Sequence, residues 1–328
     1  MRPEGRKSGH KAGFSAGLNW IFLQKNPMNA GGALLDVLHR PKNGRTWKHE
    51  SELWLQELSR LTDLMQGGLW HFFLFPLEKK YAIIILIIQK YRRVLMKPRR
   101  VLLKLSGEAL AGPNKTGFDE ETVKEVARQV KISVDAGVEV GIVIGGGNFW
   151  RGRTSNAIDR TKADQIGMLA TVMNCIYVSE IFRNAGMKTQ ILTPFECGSM
   201  TKLFSKDRAN KYFEKGMVVF FAGGTGHPYF STDTGIALRA IEMDADCILL
   251  AKAIDGVYDS DPKLNPDAKK YDEISIQEVI DKQLGVIDLT ASIMCMENKM
   301  PLAVFSLNEH DSIANAMQGK INGTIVTA

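Results

Sequence analysis

Short apolar runs alternate with helical patterns from residue 101 to the end of this chain, and three of the runs end in glycine-rich loops. They are Val101-Leu102-Leu103-Lys104-Leu105-Ser106-Gly107, Val143-Ile144-Gly145-Gly146-Gly147-Asn148 and Val218-Val219-Phe220-Phe221-Ala222-Gly223-Gly224-Thr225-Gly226. One such loop after a strand is a turn. Three in one domain gather backbone amides at one edge of a sheet, where several phosphates can sit. Glycine lets the backbone approach an anion closely, and a helix starting just after the loop adds the positive end of its dipole.

The alternation predicts strands over 101–105, 138–144, 188–192, 218–222, 247–251, 302–305 and 324–326. Between them it predicts helices over 119–136, 161–184, 199–214, 232–243, 276–282, 291–298 and 312–317. Asp119 can cap the first helix, with Glu120 and Glu121 at its positive end and Val123, Val126, Val130 and Val134 at helical spacing. The long second helix carries Ile166, Leu169, Met173 and Ile176 on one face and ends at Gly186. Short, almost wholly apolar strands between helices imply an α/β fold, with a mostly parallel sheet covered on both faces. Ligands on such sheets bind beyond the carboxyl ends of the strands, where all three glycine loops lie.

The net charge of +6 suggests nucleic acid only until its distribution is seen. Residues 1–95 hold 15 Lys and Arg against 7 Asp and Glu, a net +8; the remaining 27 basic and 29 acidic residues give −2. Nucleic-acid binding by the main domain is therefore not expected. Cys175, Cys197, Cys247 and Cys295 form no C-x-x-C pair, as expected of reduced thiols in the cytoplasm rather than of disulfides or a zinc site. Four of six histidines precede residue 96, leaving His227 and His310, so no histidine-rich metal site is expected beyond it.

Residues 1–95 read as a separate N-terminal extension without a clear series of strands and helices. The apolar run 82–88 is too short to span a bilayer, and 69–77 is broken by Pro76 and followed by Glu78-Lys79-Lys80, so no membrane span is expected. Residues 15–23 make a poor secretory signal; residues 1–49 are basic and acid-poor, a weak likeness to an organelle transit peptide. Two readings of the extension stay open. It is poorly ordered, or it lies outside the natural protein, which starts at Met96. Arg92-Arg93, if encoded AGG-AGG, would then spell a ribosome-binding sequence.

No G-x-x-x-x-G-K-[ST] occurs, and no G-x-G-x-x-G follows a strand, which disfavours P-loop and Rossmann readings. Lys104, near the end of the first strand beside Ser106 and Gly107, is either a clamp for a transferred phosphoryl group or a lysine reaching solvent. Arg151, just past the second loop, suits phosphate or simply the surface. Asp164, in the first turn of the long helix, complements the helix dipole or accepts from sugar hydroxyls. Thr232 or Asp233 can cap the helix after the third loop, and Tyr229 and Phe230 can stack on a base or pack in the core. The acidic turn Asp255-Gly256-Val257-Tyr258-Asp259-Ser260-Asp261-Pro262 lacks EF-hand spacing and is not read as a metal cage.

Five segments in register extend the argument. Lys104-Leu105-Ser106-Gly107-Glu108-Ala109-Leu110, Ile144-Gly145-Gly146-Gly147-Asn148 with Arg151-Gly152, Gly167-Met168-Leu169-Ala170-Thr171-Val172-Met173-Asn174, Gly224-Thr225-Gly226 with Pro228, and Asp255-Gly256-Val257-Tyr258 with Asp261-Pro262 closely resemble the bacterial uridylate kinases of the amino acid kinase family. The resemblance covers 96–328 and none of 1–95. It implies a three-layer α/β/α sandwich, usually a homohexamer, that transfers phosphate from ATP to UMP with Mg2+. An acceptor half would span about 96–231 and an ATP half about 232–328.

Residue by residue, the resemblance implies ATP contacts at Lys104, Leu105, Ser106, Gly107, Gly147, Arg151, Lys252, Tyr258 and Asp261. It implies UMP contacts at Gly146, Asp164 and the segment Thr225-Gly226-His227-Pro228-Tyr229-Phe230-Ser231-Thr232, where His227 replaces an asparagine common in the family. Lys104, Arg151 and Asp233 would carry catalysis; the place of Asp233 at the third loop suggests that it orients Lys104. Gly112-Pro113-Asn114-Lys115-Thr116-Gly117 matches a segment linked to activation by GTP, and UTP would inhibit. Two rivals remain: a relative acting on acetylglutamate, aspartate or carbamate, and a nucleotide sensor without catalysis.

Overall fold

The computed structural model describes residues 98–151 and 157–328; the N-terminal extension, Met96 and Gly152 lie outside the described residues. The chain opens on β1 (Arg100–Leu105), a one-turn helix α1 (Gly107–Leu110), α2 (Glu120–Asp135), β2 (Glu139–Ile144), α3 (Arg160–Asn184) and β3 (Thr189–Thr193). It continues through β4 (Lys202–Leu203), α4 (Lys206–Phe213), β5 (Val218–Phe221), α5 (Thr232–Glu242), β6 (Cys247–Lys252), and the short β7 (Val257–Tyr258) and β8 (Lys270–Tyr271). Last come β9 (Glu273–Ser275), α6 (Ile276–Asp281), α7 (Leu289–Glu297), β10 (Leu302–Ser306), α8 (Ser312–Met317) and β11 (Gly323–Thr327).

Nine strands form one sheet in the order β4-β3-β5-β2-β1-β6-β10-β11-β9. Every neighbouring pair is parallel except β10 with β11. Side-chain alternation divides the core into two layers. Val101, Leu103 and Leu105 face a cluster built with α2, α3 and α8, including Val126, Phe182 and Ile313. Leu102 faces the other cluster, built with α4, α5, α6 and α7, including Phe213, Ile236, Val279 and Ala291. This is the expected α/β/α sandwich.

Local signals account for most helix ends. The Asp119 carboxylate accepts from the Thr122 amide at 2.9 Å and so caps α2 as expected. Gly186 follows α3 with φ +86°, the left-handed turn that stops it. The α3 helix is long and apolar enough, by composition, to cross a membrane. Its inner residues, from Ala163 to Phe182, pack on the sheet, so one face of this apolar helix belongs to the core.

One expected helix is corrected. Residues 199–214 split into β4 and α4, because the Phe204 amide donates to Thr193 O at 2.8 Å and draws the first half alongside β3. Ser205 then caps α4, accepting from the Arg208 amide. The α1 helix and strands β7 to β9 were not expected; elements of two to four residues carry no readable period.

Candidate active site

The second and fourth side chains after Arg100 in β1, Leu102 and Lys104, point to the α5 side of the sheet. Lys104 lies between Val143 of β2 and Leu250 of β6, at the centre of the sheet. A lysine there needs a partner. It has one: Nζ donates to Asp233 Oδ1 on the first turn of α5, and the two side chains are 16% and 19% exposed. Lys252, at the end of β6, donates through Nζ to Val286 O. Burial holds its ammonium below the usual lysine range; Asp233 opposes that shift and the Lys104 charge reinforces it. Two lysines thus feel one carboxylate, a local excess of positive charge suited to an anion.

The first two glycine loops meet beside this pair. Ser106, in extended conformation, precedes α1, and the Gly145 amide donates to Leu105 O at 3.0 Å. A Cβ on Gly107 would lie 2.4 Å from both Gly145 O and Asn148 Oδ1, so only glycine fits between the loops. A Cβ on Gly146 would lie 2.9 Å from Gly167 O of α3, which fixes that loop against the helix. Arg151 ion-pairs with Glu108 of α1 and is 62% exposed, bridging the two loops at the surface.

The third loop is tied down from α3. The Gly223 amide donates to Thr171 Oγ1 at 2.8 Å, and the Tyr229 amide to Asp164 Oδ2 at 2.8 Å. The latter holds Tyr229 in a left-handed backbone conformation, φ +71°, that a non-glycine residue adopts only under constraint. The Arg160 side chain donates to both Asp164 oxygens at 2.9 Å and lies 5.5 Å from the Tyr229 ring centroid. Tyr229 and Phe230 are 66% and 51% exposed, so they are surface aromatics rather than core residues. The His227 amide donates to Thr225 Oγ1, and the histidine itself is exposed. The end of this loop comes back to the second: a Cβ on Gly145 would lie 3.9 Å from Thr232 Oγ1.

Two local expectations are corrected. Ser231, not Thr232 or Asp233, caps α5: its hydroxyl accepts from the Asp233 and Thr234 amides at 2.9 and 3.2 Å. This cap leaves the Asp233 carboxylate available to Lys104. Asp164 lies one turn inside α3, because the helix starts at Arg160 under the Asp159 cap. Its hydrogen bonds to Arg160 and Tyr229 replace the expected dipole role.

Tyr258 and Asp261, expected among the ATP contacts, form a group apart with Asp255. Asp255 accepts from the Tyr258 hydroxyl at 2.8 Å and from Lys270 Nζ at 3.0 Å. Burial works against its charge, yet these two bonds hold its carboxyl below the usual range. Asp261 accepts from the Lys263 amide at 2.9 Å in a local turn. The bonds of Tyr258 and Asp261 run within this excursion rather than to Lys104. The 112–117 turn is fastened instead to the second loop, where Thr116 Oγ1 donates to Asn148 O at 2.8 Å.

Three participants were given no role by the sequence reading. Glu108 holds Arg151, and Asn174 of α3 pairs with Asn148. Asp288 accepts from the Ser231 hydroxyl and from Thr234 Oγ1 at 3.0 Å, and caps α7 through the Ala291 amide. An aspartate directly before an apolar helix was the readable signal for that cap. Among the described residues, no three His, Cys, Asp or Glu side chains gather to hold a metal.

Comparison with known proteins accords with this geometry. Residues 99–306 match the model of the amino acid kinase family. Among solved structures, the chain is similar to a UMP kinase from Bacillus anthracis, with 34% identity and a TM-score of 0.68 over 70% of this chain and 96% of that one. It is similar to a UMP kinase from Ureaplasma parvum, with 36% identity and a TM-score of 0.67 over 71% and 100%. A uridylate kinase from Archaeoglobus fulgidus is 26% identical, with a TM-score of 0.55 over 69% and 99%.

Proposed function

We propose that this chain, which belongs to the amino acid kinase family, transfers the γ-phosphoryl group of ATP to UMP, giving ADP and UDP. The observation that carries this reading is the Lys104–Asp233 pair, at the carboxyl end of the central strand and beside the glycine loops. A UMP phosphate oxygen attacks the γ-phosphorus in line, and the bond to the β,γ-bridging oxygen breaks. A phosphate monoester has its second pKa at roughly 6, so near neutral pH the acceptor is already ionised and needs no general base. Asp233 is therefore assigned to orienting Lys104, not to taking a proton.

The protein's work is charge and placement. Lys104 meets the charge that spreads over the transferred group. Leu105, Ser106 and Gly107, with Gly147 and Arg151, receive the ATP phosphates; Lys252, Tyr258 and Asp261 form the ATP side beyond. Gly146, Asp164 and residues 225–232 receive UMP, with the exposed Tyr229 and Phe230 rings available to the base. Mg2+ is commonly held by substrate phosphates with one or two carboxylates; Asp233 is a carboxylate this site supplies, and the ion would neutralise phosphate charge. On this reading residues 96–231 form the acceptor half and 232–328 the ATP half, with residues 1–95 outside the kinase domain.

The α3 helix supports a homo-oligomer, a hexamer in this reading. Ile166, Leu169, Met173 and Ile176, spaced to share one face, are 40, 52, 49 and 38% exposed, an apolar stripe suited to a second copy of the chain. Replacing Leu169 and Met173 by Glu should lower the mass measured by light scattering; an unchanged mass removes this assignment. The 112–117 turn is proposed as the GTP-responsive segment, with UTP as inhibitor. The four free cysteines fit a reducing cytoplasm.

A coupled assay of ADP release with ATP, Mg2+ and a panel of acceptors tests the reaction. ADP release with UMP is expected. Release with acetylglutamate, aspartate or carbamate but not with UMP overturns the substrate, and ATP binding without release for any acceptor supports the sensor reading.

A further inference from the structure

Two buried asparagines join the second glycine loop to α3, to the first loop and to the 112–117 turn. Asn148, in the second glycine loop, and Asn174, on the inner face of α3, are 2% and 0% exposed. Their amides bond reciprocally: Asn174 Nδ2 donates to Asn148 Oδ1 at 2.8 Å, and Asn148 Nδ2 to Asn174 Oδ1 at 3.0 Å. Asn174 Nδ2 also donates to Gly145 O at 2.6 Å, and Asn148 Nδ2 to Gly117 O at 2.7 Å. Both amide groups therefore donate twice and accept once, which removes the penalty of burying them.

Contacts spread from the pair in two directions. Inward, Gly107 of the first loop sits directly on it: a Cβ there would lie 2.4 Å from Asn148 Oδ1 and 3.0 Å from Asn174 Nδ2. The pair thus lines the close contact between the first and second loops. Outward, Asn148 O accepts from Thr116 Oγ1 at 2.8 Å and from the Gly117 amide at 3.4 Å. The turn held there is exposed from Pro113 to Thr116, and its Lys115 has φ +62°. A non-glycine residue in that conformation marks a turn held in shape by its surroundings. Packing alone does not call for two amides in a core; an apolar pair of the same shape fills the space as well.

We propose that Asn148 and Asn174 are positioning residues for the phosphoryl transfer. Their amide pair sets the spacing of the first and second glycine loops, and Asn148 makes the exposed 112–117 turn a lever on that spacing. The inference rests on the proposed reaction. Loop amides stabilise a developing charge only when aimed at it, and a displacement of about 1 Å costs on the order of 10²-fold in rate.

The test is steady-state kinetics of the full chain carrying Asn148→Asp, Asn174→Asp, both together, or Thr116→Val, each with a thermal melt and a circular dichroism spectrum. Each aspartate keeps the shape but loses the Nδ2 donor. The expected result is a fall in kcat of about 10²-fold for each, with a much smaller change in KM, and a double variant no worse than the poorer single. Thr116→Val, at the surface, should lower kcat in the same sense by about threefold, the worth of one ordinary hydrogen bond. Unchanged kcat in folded variants, with only the melting temperature lowered, overturns the proposal. If an asparagine variant does not fold, Thr116→Val decides: kcat equal to that of the unsubstituted chain overturns it. The unsubstituted chain separates the two readings, since no ADP release from it with UMP counts against the reaction itself.

Discussion

The two ends of the parallel sheet use charged residues in opposite ways. At the amino edge, Arg100 of β1 donates through Nε to Glu139 of β2 at 2.7 Å and through Nη1 to Met243 O, with its guanidinium 4.7 Å from the Phe213 ring centroid. Asp246 accepts from the Arg99 and Arg100 amides at 2.7 and 2.8 Å. These charges tie strand ends together beside a polar cleft of about 370 Å³. At the carboxyl edge, Lys104 and Lys252 feel the one carboxylate of Asp233, and the loops around them are made of glycine and small polar residues. Charge balanced at short range holds a fold, whereas cations in excess beside backbone amides await an anion. Charge count alone does not separate the two edges; partners do.

The largest effect expected from breaking this contrast is at the carboxyl edge. Lys104→Ala should lower kcat with UMP by about 10²–10³-fold per folded molecule, as loss of one charge-stabilising donor does elsewhere, with a lower melting temperature because Asp233 loses its partner. Near-normal turnover would remove Lys104 from the mechanism. The amino edge should answer the other way. Arg100→Ala leaves Glu139 without its close partner and bares part of the Phe213 ring, so urea denaturation should show a loss of about 2–3 kcal/mol with activity per folded molecule unchanged. A stable but inactive Arg100→Ala would erase the distinction between the edges.

The smallest effect sharpens it. Cys247 opens β6 at the amino edge, where burial and the neighbouring Asp246 charge push its thiol up to about 12. Cys295, on α7, is pushed up to about 12 by burial and by Asp288. Cys175 is raised by burial as well. A thiol reagent at pH 8 should therefore modify Cys197, in the partly open loop after β3, well before the other three. Mass spectrometry of the partly modified protein reads the order, and early modification at Cys247 would contradict the raised thiol there.

Much of the fold was legible because its signals are local. Asp119 before Glu120 and Glu121, the valines of α2 at helical spacing, and Gly186 after α3 each mark a boundary through one or two neighbouring hydrogen bonds. Residues 199–214 misled because Lys202 and Leu203 pair with β3, a partner that local pattern does not register. The long helix was legible as a helix, but its face of Ile166, Leu169, Met173 and Ile176 was not legible as exposed, since the opposite face is apolar too.

The site was half legible. Each glycine loop was visible as a loop, and Lys104 stood out as a lysine in an apolar strand. The Ser231 cap was missed because Thr232 and Asp233 are equally good capping types, and only the chain's entry angle selects among the three. Asn148 and Asn174 each stood in a motif, but their pairing was not legible, as a buried asparagine and an exposed one look alike in sequence.

By itself, then, the sequence determined which segments are strands and helices and that glycine follows three of the strands, because torsional preference, capping and hydrophobic period act between near neighbours. Only the tertiary structure decided the strand order, the edge on which each charge lies, and the burial of the expected Lys104–Asp233 pair, formed across 129 residues of chain. Such contacts form when distant elements are packed together, and their energy depends on burial and distance, neither of which is written in the order of the residues.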